Sequence, residues 1–330
     1  MKLPLVSFIL PTYNAEGIIE KCLESIFSQD YPEDKIEVLI VDDGSTDGSL
    51  ELCSRYPVRI LHNPSGIAEI GWAMGVEAAR DEFVVLLSAD NELVSKDWIS
   101  KMVKPVLEDG EVVGVRPPVL APRDDPAINR YMALLQNPPL EFYLLWRLRP
   151  PEEVIAKDGY YIEILGQAPY RTVIGGNGSL LRKDAVLKVG NVPVRHESDL
   201  VYRLAEGGFT KYAYVPEAVV YHHYVRNYFD YIKKLRVKVK YFRKHSREYP
   251  WLPNRRRESL RMLAWVLFCC TFIGPFIHAF YIGKKGDPAW LYHPFACFTE
   301  VVVYGVGFLT AKRGLDSLLG MVIAMVKGSK

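Results

Sequence analysis

Two short apolar runs in this chain end in clusters of groups that bind or ionise. Val6-Ser-Phe-Ile-Leu-Pro-Thr-Tyr-Asn14 closes on Pro11, Thr12 and Tyr13, and residues 37–41 lead into Val41-Asp-Asp-Gly-Ser-Thr-Asp47. Residues 15–29 between them read as a helix. The pair is therefore a βαβ unit with its functional groups at the carboxyl ends of the strands, the edge where open α/β sheets bind ligands. Val85-Leu-Leu-Ser-Ala-Asp-Asn-Glu92 ends a further apolar run in Asp90, Asn91 and Glu92, oxygen donors of the kind a hard cation takes. His196-Glu-Ser-Asp-Leu-Val-Tyr-Arg-Leu204 carries two acids, Glu197 and Asp199. A carboxylate within hydrogen-bond reach of a hydroxyl can take its proton during attack. Structural jobs compete with each of these roles. Asp42 and Asp47 can cap a turn and a helix, and the acids at 197 and 199 can cap the helix that starts there.

The elements that must position these groups alternate along the first half. Strands are expected at 6–10, 37–41, 58–62 and 83–87, with helices at 15–29, 49–56 and 71–80 between them. That alternation predicts a largely parallel sheet with helices on both faces. A further strand, 112–116, precedes Pro117-Pro118. Residues 124–172 differ: Tyr131-Met-Ala-Leu-Leu135 and Leu140-Glu-Phe-Tyr-Leu-Leu-Trp146 are aromatic-rich and flank Pro138-Pro139. They read either as two core helices or as an insertion resting on a bilayer.

Charge and hydropathy divide the chain further. The 330 residues carry a net charge of +2, but residues 226–261 hold thirteen Lys/Arg against three Asp/Glu, which leaves 28 basic and 36 acidic groups elsewhere. An acidic body with a basic band beside an apolar tail points to an anionic membrane surface and away from nucleic acid. Residues 228–249 mix Tyr231, Leu235, Phe242 and Tyr249 with eight Lys/Arg, which suits a helix lying among lipid headgroups. Residues 262–282 contain no Asp, Glu, Lys or Arg, and residues 289–311 contain only Glu300. Each has the length a transmembrane helix needs, so the pair is expected as a hairpin, with a kink at Gly274-Pro275. Arg255–Arg257, Arg261 and Lys312-Arg313 place both flanks in the cytosol, against which Lys284-Lys285 in the outer loop weighs slightly. Residues 315–326 are too short to span and read as interfacial. The five cysteines show no ligand spacing and suit a reducing compartment without a disulfide framework or zinc site. Residues 3–10, broken by Pro4 and Ser7, read as a strand and not as a leader.

At Pro-Thr-Tyr-Asn and Asp-Asp-Gly-Ser-Thr-Asp the chain resembles the family 2 glycosyltransferases, inverting enzymes of GT-A fold that use nucleotide-sugar donors. The resemblance covers about residues 6–224. It implies that Pro11, Thr12, Tyr13, Glu16, Asp42 and Asp43 line the nucleotide pocket, with Gly66 in the loop after the third strand. The family's Asp-X-Asp motif falls on Ser88-Ala89-Asp90, so Asp90 matches the last acid, which binds Mn2+ or Mg2+, while Ser88 replaces the first. His222 fits the further metal ligand seen in many relatives, and an imidazole favours Mn2+. The family's Ala-Arg-Asn-X-Gly segment reads Gly71-Trp72-Ala73-Met74-Gly75 here, without the arginine near the donor phosphates. The metal, Arg182 or the basic band would then do more of the neutralising. Gly175, Gly176 and Asn177 match the segment at the acceptor. Aligned on Arg203-Leu204, Glu197 falls on the usual catalytic base and Asp199 on the second acid.

The resulting expectation is an α/β chain in three parts. Residues 1–225 form a GT-A glycosyltransferase domain, 226–258 a basic interfacial segment, and 259–330 a transmembrane hairpin with a cytosolic tail. It would be a multi-pass protein of the cell membrane, with its catalytic domain in the cytosol. The activity expected is transfer of a sugar from a UDP- or GDP-sugar to a lipid-linked acceptor with a divalent metal. A polyprenyl-phosphate sugar synthase and a non-catalytic membrane scaffold are the alternatives. Two spans are too few for the channel of a processive synthase.

Overall fold

The computed structural model describes residues 3–80, 82–135, 150–166, 177–190, 197–245, 264–283 and 286–309. The chain divides into two compact units, residues 1–120 with 148–223 and residues 121–147 with 224–330. Residues 121–135, expected from the sequence within the 1–225 domain, thus group with the second unit.

The first unit is built on a nine-stranded sheet in the order β3-β2-β1-β4-β10-β6-β11-β9-β8. The strands are β1 (Val6–Thr12), β2 (Ile36–Asp42), β3 (Arg59–His62), β4 (Phe83–Leu86), β6 (Gly114–Arg116), β8 (Glu153–Lys157), β9 (Tyr160–Ile164), β10 (Ser179–Arg182) and β11 (Lys211–Tyr214). β10 and β9 run against the others, so the sheet is mixed and mostly parallel. A small sheet, β5 (Asn91–Leu93), β12 (Val220–His222) and β7 (Val119–Leu120), has β12 at its centre.

β1 is apolar and buried almost throughout, as a strand covered on both faces must be. Val6, Phe8 and Leu10 face a core that includes Ile19, Cys22, Leu23 and Ile26 of the helix Ile19–Phe27 and Trp98 and Met102 of the helix Trp98–Glu108. Ile9 faces the opposite core with Val76, Leu200, Val201 and Leu204. The helix Ala68–Ala78 lies so close to β1 that a Cβ at Gly75 would come within 2.2 Å of Ile9 Cγ2. Gly75→Ala should therefore destabilise the fold by about 2 kcal/mol through overpacking. The better helix propensity of alanine offsets roughly 1 kcal/mol of this. Thermal unfolding followed by circular dichroism checks it, and an unchanged Tm would refute the close approach.

Element boundaries differ from the sequence reading where local bonds compete with helix formation. The helix expected at 15–29 begins only at Ile19. Asn14 takes a left-handed φ of 48°, and the amides of Asn14, Ala15 and Glu16 bond to Ser45, Ser49 and Asp47. Residues 153–164, part of the expected aromatic insertion, form the β8–β9 hairpin around Asp158-Gly159, with Gly159 at φ 83°. Residues 136–149 lie outside the described residues.

In the second unit, the helices Ala127–Leu135, Tyr228–His245, Ala264–Cys270, Ile273–Gly283 and His293–Leu309 surround Tyr131, Tyr231, Leu235, Trp265, Trp290 and Cys297. The stripe expected to face lipid is partly used for packing, because Tyr231 and Leu235 are buried. The continuous helix expected over 262–282 is not observed. Two helices, Ala264–Cys270 and Ile273–Tyr281, meet at 82°. The break falls at Thr271-Phe272, where Phe272 has φ 55°, and not at Gly274-Pro275. Pro275 lies in the first turn of the second helix, where no backbone donor is needed. Among the described residues, no single helix is long and apolar enough to cross a membrane. Residues 255–257, 261, 284–285 and 312–326, which carried the flank and tail expectations, lie outside the described residues.

Candidate functional site

Strands β1, β2 and β4 are adjacent and parallel, so their carboxyl ends open on one edge of the sheet. β10 runs the other way and delivers Asn177 and Gly178 to that edge, where the Gly178 amide donates to Leu86 O at 2.8 Å. Four of the sequence motifs therefore converge through sheet topology.

Within this edge the loops after β1 and β2 are latched together. Asn14 Oδ1 accepts from the Thr46 amide at 2.8 Å, Glu16 Oε2 accepts from the Gly48 amide at 3.2 Å, and the Asp43 amide donates to Thr12 O at 2.8 Å. Asp42 is buried and accepts from the amides of Gly44 and Ser45, while Asp47 accepts from the Ser49 amide and hydroxyl. These two acids hold the loop's shape. Thr12 is buried with its hydroxyl on Leu10 O at 3.1 Å, so it too is engaged internally; Tyr13 is 60% exposed. Pro11 lines the same edge, its ring 3.3 Å from where a Cβ on Gly71 would stand.

Asp43 behaves differently from Asp42. Its Oδ1 accepts from Asn63 Nδ2 at 2.5 Å, and Asn63 in turn bonds Ile67 O and Ser65. Burial raises the Asp43 pKa, the Asn63 bond opposes this, and the charge of Asp42 adds to the rise. Asn63 was not singled out from the sequence; Asn63-Pro-Ser-Gly66 reads there as a turn, and Gly66 does take φ 61°.

After β4 the chain turns through Ser88, Ala89 and Asp90 into β5. The turn is closed by Asn91, whose Oδ1 accepts from the Ser88 amide at 3.0 Å. β12 lies antiparallel to β5 with His222 opposite Asn91, which brings His222 Nε2 to 3.3 Å from Asp90 Oδ1. The adjoining pair, His223 Nε2 and Glu92 Oε2, is also 3.3 Å apart and went unrecognised in the sequence, although the His-His doublet was visible. Cys22 Sγ stands behind this turn, 3.8 Å from Ser88 O. Burial and the nearby charge of Asp90 push its thiol far up, so it acts as packing.

The helix Glu197–Glu206 begins at the first of the two candidate acids and buries Leu200, Val201 and Leu204; Arg203 is half-buried. The side chains of Glu197 and Asp199, and residues Gly175 and Gly176, lie outside what the structure describes. Asn177 is held at φ 58°, with a buried Oδ1 that accepts no hydrogen bond from the described residues. Trp72 stands where the arginine was missing and packs on the apolar cluster that includes Leu200 and Val201. Arg182 does not reach the ligand edge. It pairs with Phe83 at the opposite end of β4 and bonds Glu82, Val106 O and Val112 O.

Residues 7–160 match the family described as glycosyl transferase family 2. That segment is a family 2 glycosyltransferase domain. Glycosyltransferase GlyG of Streptococcus pneumoniae serotype 4 is 35% identical over 117 residues, covering 33% of this chain and 38% of that protein. The dolichyl N-acetyl-alpha-D-glucosaminyl phosphate 3-beta-D-2,3-diacetamido-2,3-dideoxy-beta-D-glucuronosyltransferase of Methanococcus voltae is 33% identical over 91 residues, 26% of this chain and 28% of that protein. The chain spans less than half the length of the curated relatives it matches. A solved mannosyltransferase, PcManGT from Pyrobaculum calidifontis in complex with GDP-Man and Mn2+, aligns over 98% of this chain and 81% of its own. Its TM-score is 0.50 at 21% identity, which shows a shared fold of GT-A type.

The residues present at this edge of the sheet fit a divalent metal. Asp90 Oδ1 and His222 Nε2, 3.3 Å apart, can share one cation. Among the described residues no group of three such side chains gathers. Two protein ligands are within the range for hard cations, which take one or two carboxylates and complete their shell with phosphate oxygens and water.

Proposed function

We propose that this protein transfers a sugar, with inversion, from a UDP- or GDP-sugar to a lipid-linked acceptor at the cytosolic face of the cell membrane. The observation that carries this reading is the pairing of Asp90 with His222 on the ligand edge of a family 2 domain, beside the Asp43–Asn63 cluster. Asp43, anchored by Asn63, would accept from a donor base N–H, and Tyr13 would offer an exposed aromatic face. Asp90 and His222 would hold Mn2+ or Mg2+, which supplies positive charge against the leaving diphosphate. Glu197 or Asp199 would take the acceptor's proton. The Methanococcus voltae relative is named for a dolichyl-linked sugar acceptor, and the basic helix Tyr228–His245 suits anionic lipid; both support a lipid-linked acceptor.

Thermal-shift binding to UDP, GDP and their sugars, with and without Mn2+, tests the donor half. A metal-dependent rise in Tm for one base is expected, and no rise with any of them would refute the reading.

A further inference from the structure

The apolar segments of the second unit are arranged inside out for water. On the helix His293–Leu309, Phe295, Phe298 and Val302 are exposed at 58%, 39% and 45%, while His293 and Glu300 on the other face are buried. Ile273, Phe276 and Ile277 are likewise exposed on the helix Ile273–Gly283. Bulky apolar groups outside and ionisable groups inside are the pattern of a surface that meets hydrocarbon.

Two observations fix how that hydrocarbon is met. First, the loop joining the apolar segments does not stand on a far side. Asp287 receives a bidentate pair from Arg130, 2.7 Å from Nε and 3.2 Å from Nη2, and the same guanidinium bonds the carbonyls of Arg123 and Asp125. Asn129, next to Arg130 on the helix Ala127–Leu135, accepts from the Val225 amide at 3.1 Å, three residues before the basic helix Tyr228–His245 begins, so the loop is tied to the start of that helix. A spanning hairpin would put its loop across a core of about 30 Å. Second, the helix His293–Leu309 runs alongside Tyr228–His245. Tyr228 bonds Thr299, Tyr231 bonds Glu300, and Val239 stands 2.5 Å from where a Cβ on Gly307 would be. The basic helix carries seven Lys/Arg against one acid. So charged a helix stays at headgroup level, and its neighbour along the same line must stay there too.

We infer that the C-terminal apolar hairpin is re-entrant: it dips into the hydrocarbon of one leaflet around the 82° bend and returns to the same face without crossing. The proposal rests on the membrane half of the function proposed above, and it replaces two spans by a monotopic anchor.

Gly286→Cys and Asp124→Cys, each on a Cys270→Ser background, supply the test. A side chain at Gly286 meets nothing within 4 Å, and Asp124 is exposed. Full-length protein is bound to preformed sealed vesicles of phosphatidylcholine and phosphatidylglycerol, isolated by flotation, and treated with a membrane-impermeant maleimide. Equal labelling at both positions before detergent is the expected result. Labelling at 286 only after permeabilisation would overturn the proposal in favour of a spanning hairpin. Failure to float, or a dimer that shields the apolar face, would overturn it in favour of a protein partner. Nucleotide binding, read separately by thermal shift, tells failure of this proposal from failure of the transferase reading.

Discussion

Asp90→Ala should abolish the Mn2+-dependent rise in Tm with nucleotide and lower turnover at least ~10^3-fold, or about 4 kcal/mol of transition-state stabilisation. Asp90 Oδ1 is the oxygen donor beside His222 Nε2, and no third metal-binding side chain joins them among the described residues. Removing one of two protein ligands leaves an imidazole alone, too little to hold a hard cation at a diphosphate. Trp72 replaces the family's arginine and Arg182 stands at the far end of β4, so neither position brings a cation to the leaving group. His222→Ala should weaken metal dependence in the same direction but less, since the carboxylate carries the charge. Turnover and thermal shift measured on both variants check the order. Asp90→Ala protein that still bound nucleotide only with Mn2+ would place the metal elsewhere.

Glu197→Gln should lower turnover by ~10^2–10^4-fold with nucleotide affinity unchanged, the range for loss of a positioned general base. The backbone carries the argument. Glu197 opens a helix whose Leu200, Val201 and Leu204 are anchored in the core shared with Ile9 and Val41 of the ligand-bearing strands. That anchorage gives the first turn a defined place in the same unit. Asp199→Asn serves as the internal comparison: if it produces the larger loss while Glu197→Gln is mild, the roles exchange. If neither matters, the acceptor oxygen is already ionised, as in a polyprenyl phosphate, and the synthase alternative gains. Single-turnover kinetics separates these outcomes from slow product release.

Local pattern carried much of this molecule. The βαβ unit, the acidic strand ends and the motif at Asp90 were readable because each depends on apolar runs and nearby punctuation. The β8–β9 hairpin is also written locally, in Asp158-Gly159, but the aromatic runs at 131–135 and 140–146 dominate the reading of segment 124–172. The helix start at Ile19 was not readable, since it depends on amides captured by side chains some thirty residues away.

Residue type and spacing thus pointed to the fold class and the candidate acids, because these follow from short-range periodicity and motif, and the resemblance at residues 11–14 and 42–47 supplied the expected reaction class. Tertiary structure decided the rest. Only the pairing of β12 with β5 brings His222 to Asp90 across more than a hundred residues. Only side-chain direction shows Asp42 spent on loop amides and Asp43 turned to Asn63. Length and hydropathy read residues 262–311 as two spans, since both ignore where a chain bends. The turn at Phe272 and the return of Asp287 to Arg130 are long-range packing choices, and hydropathy carries no record of them.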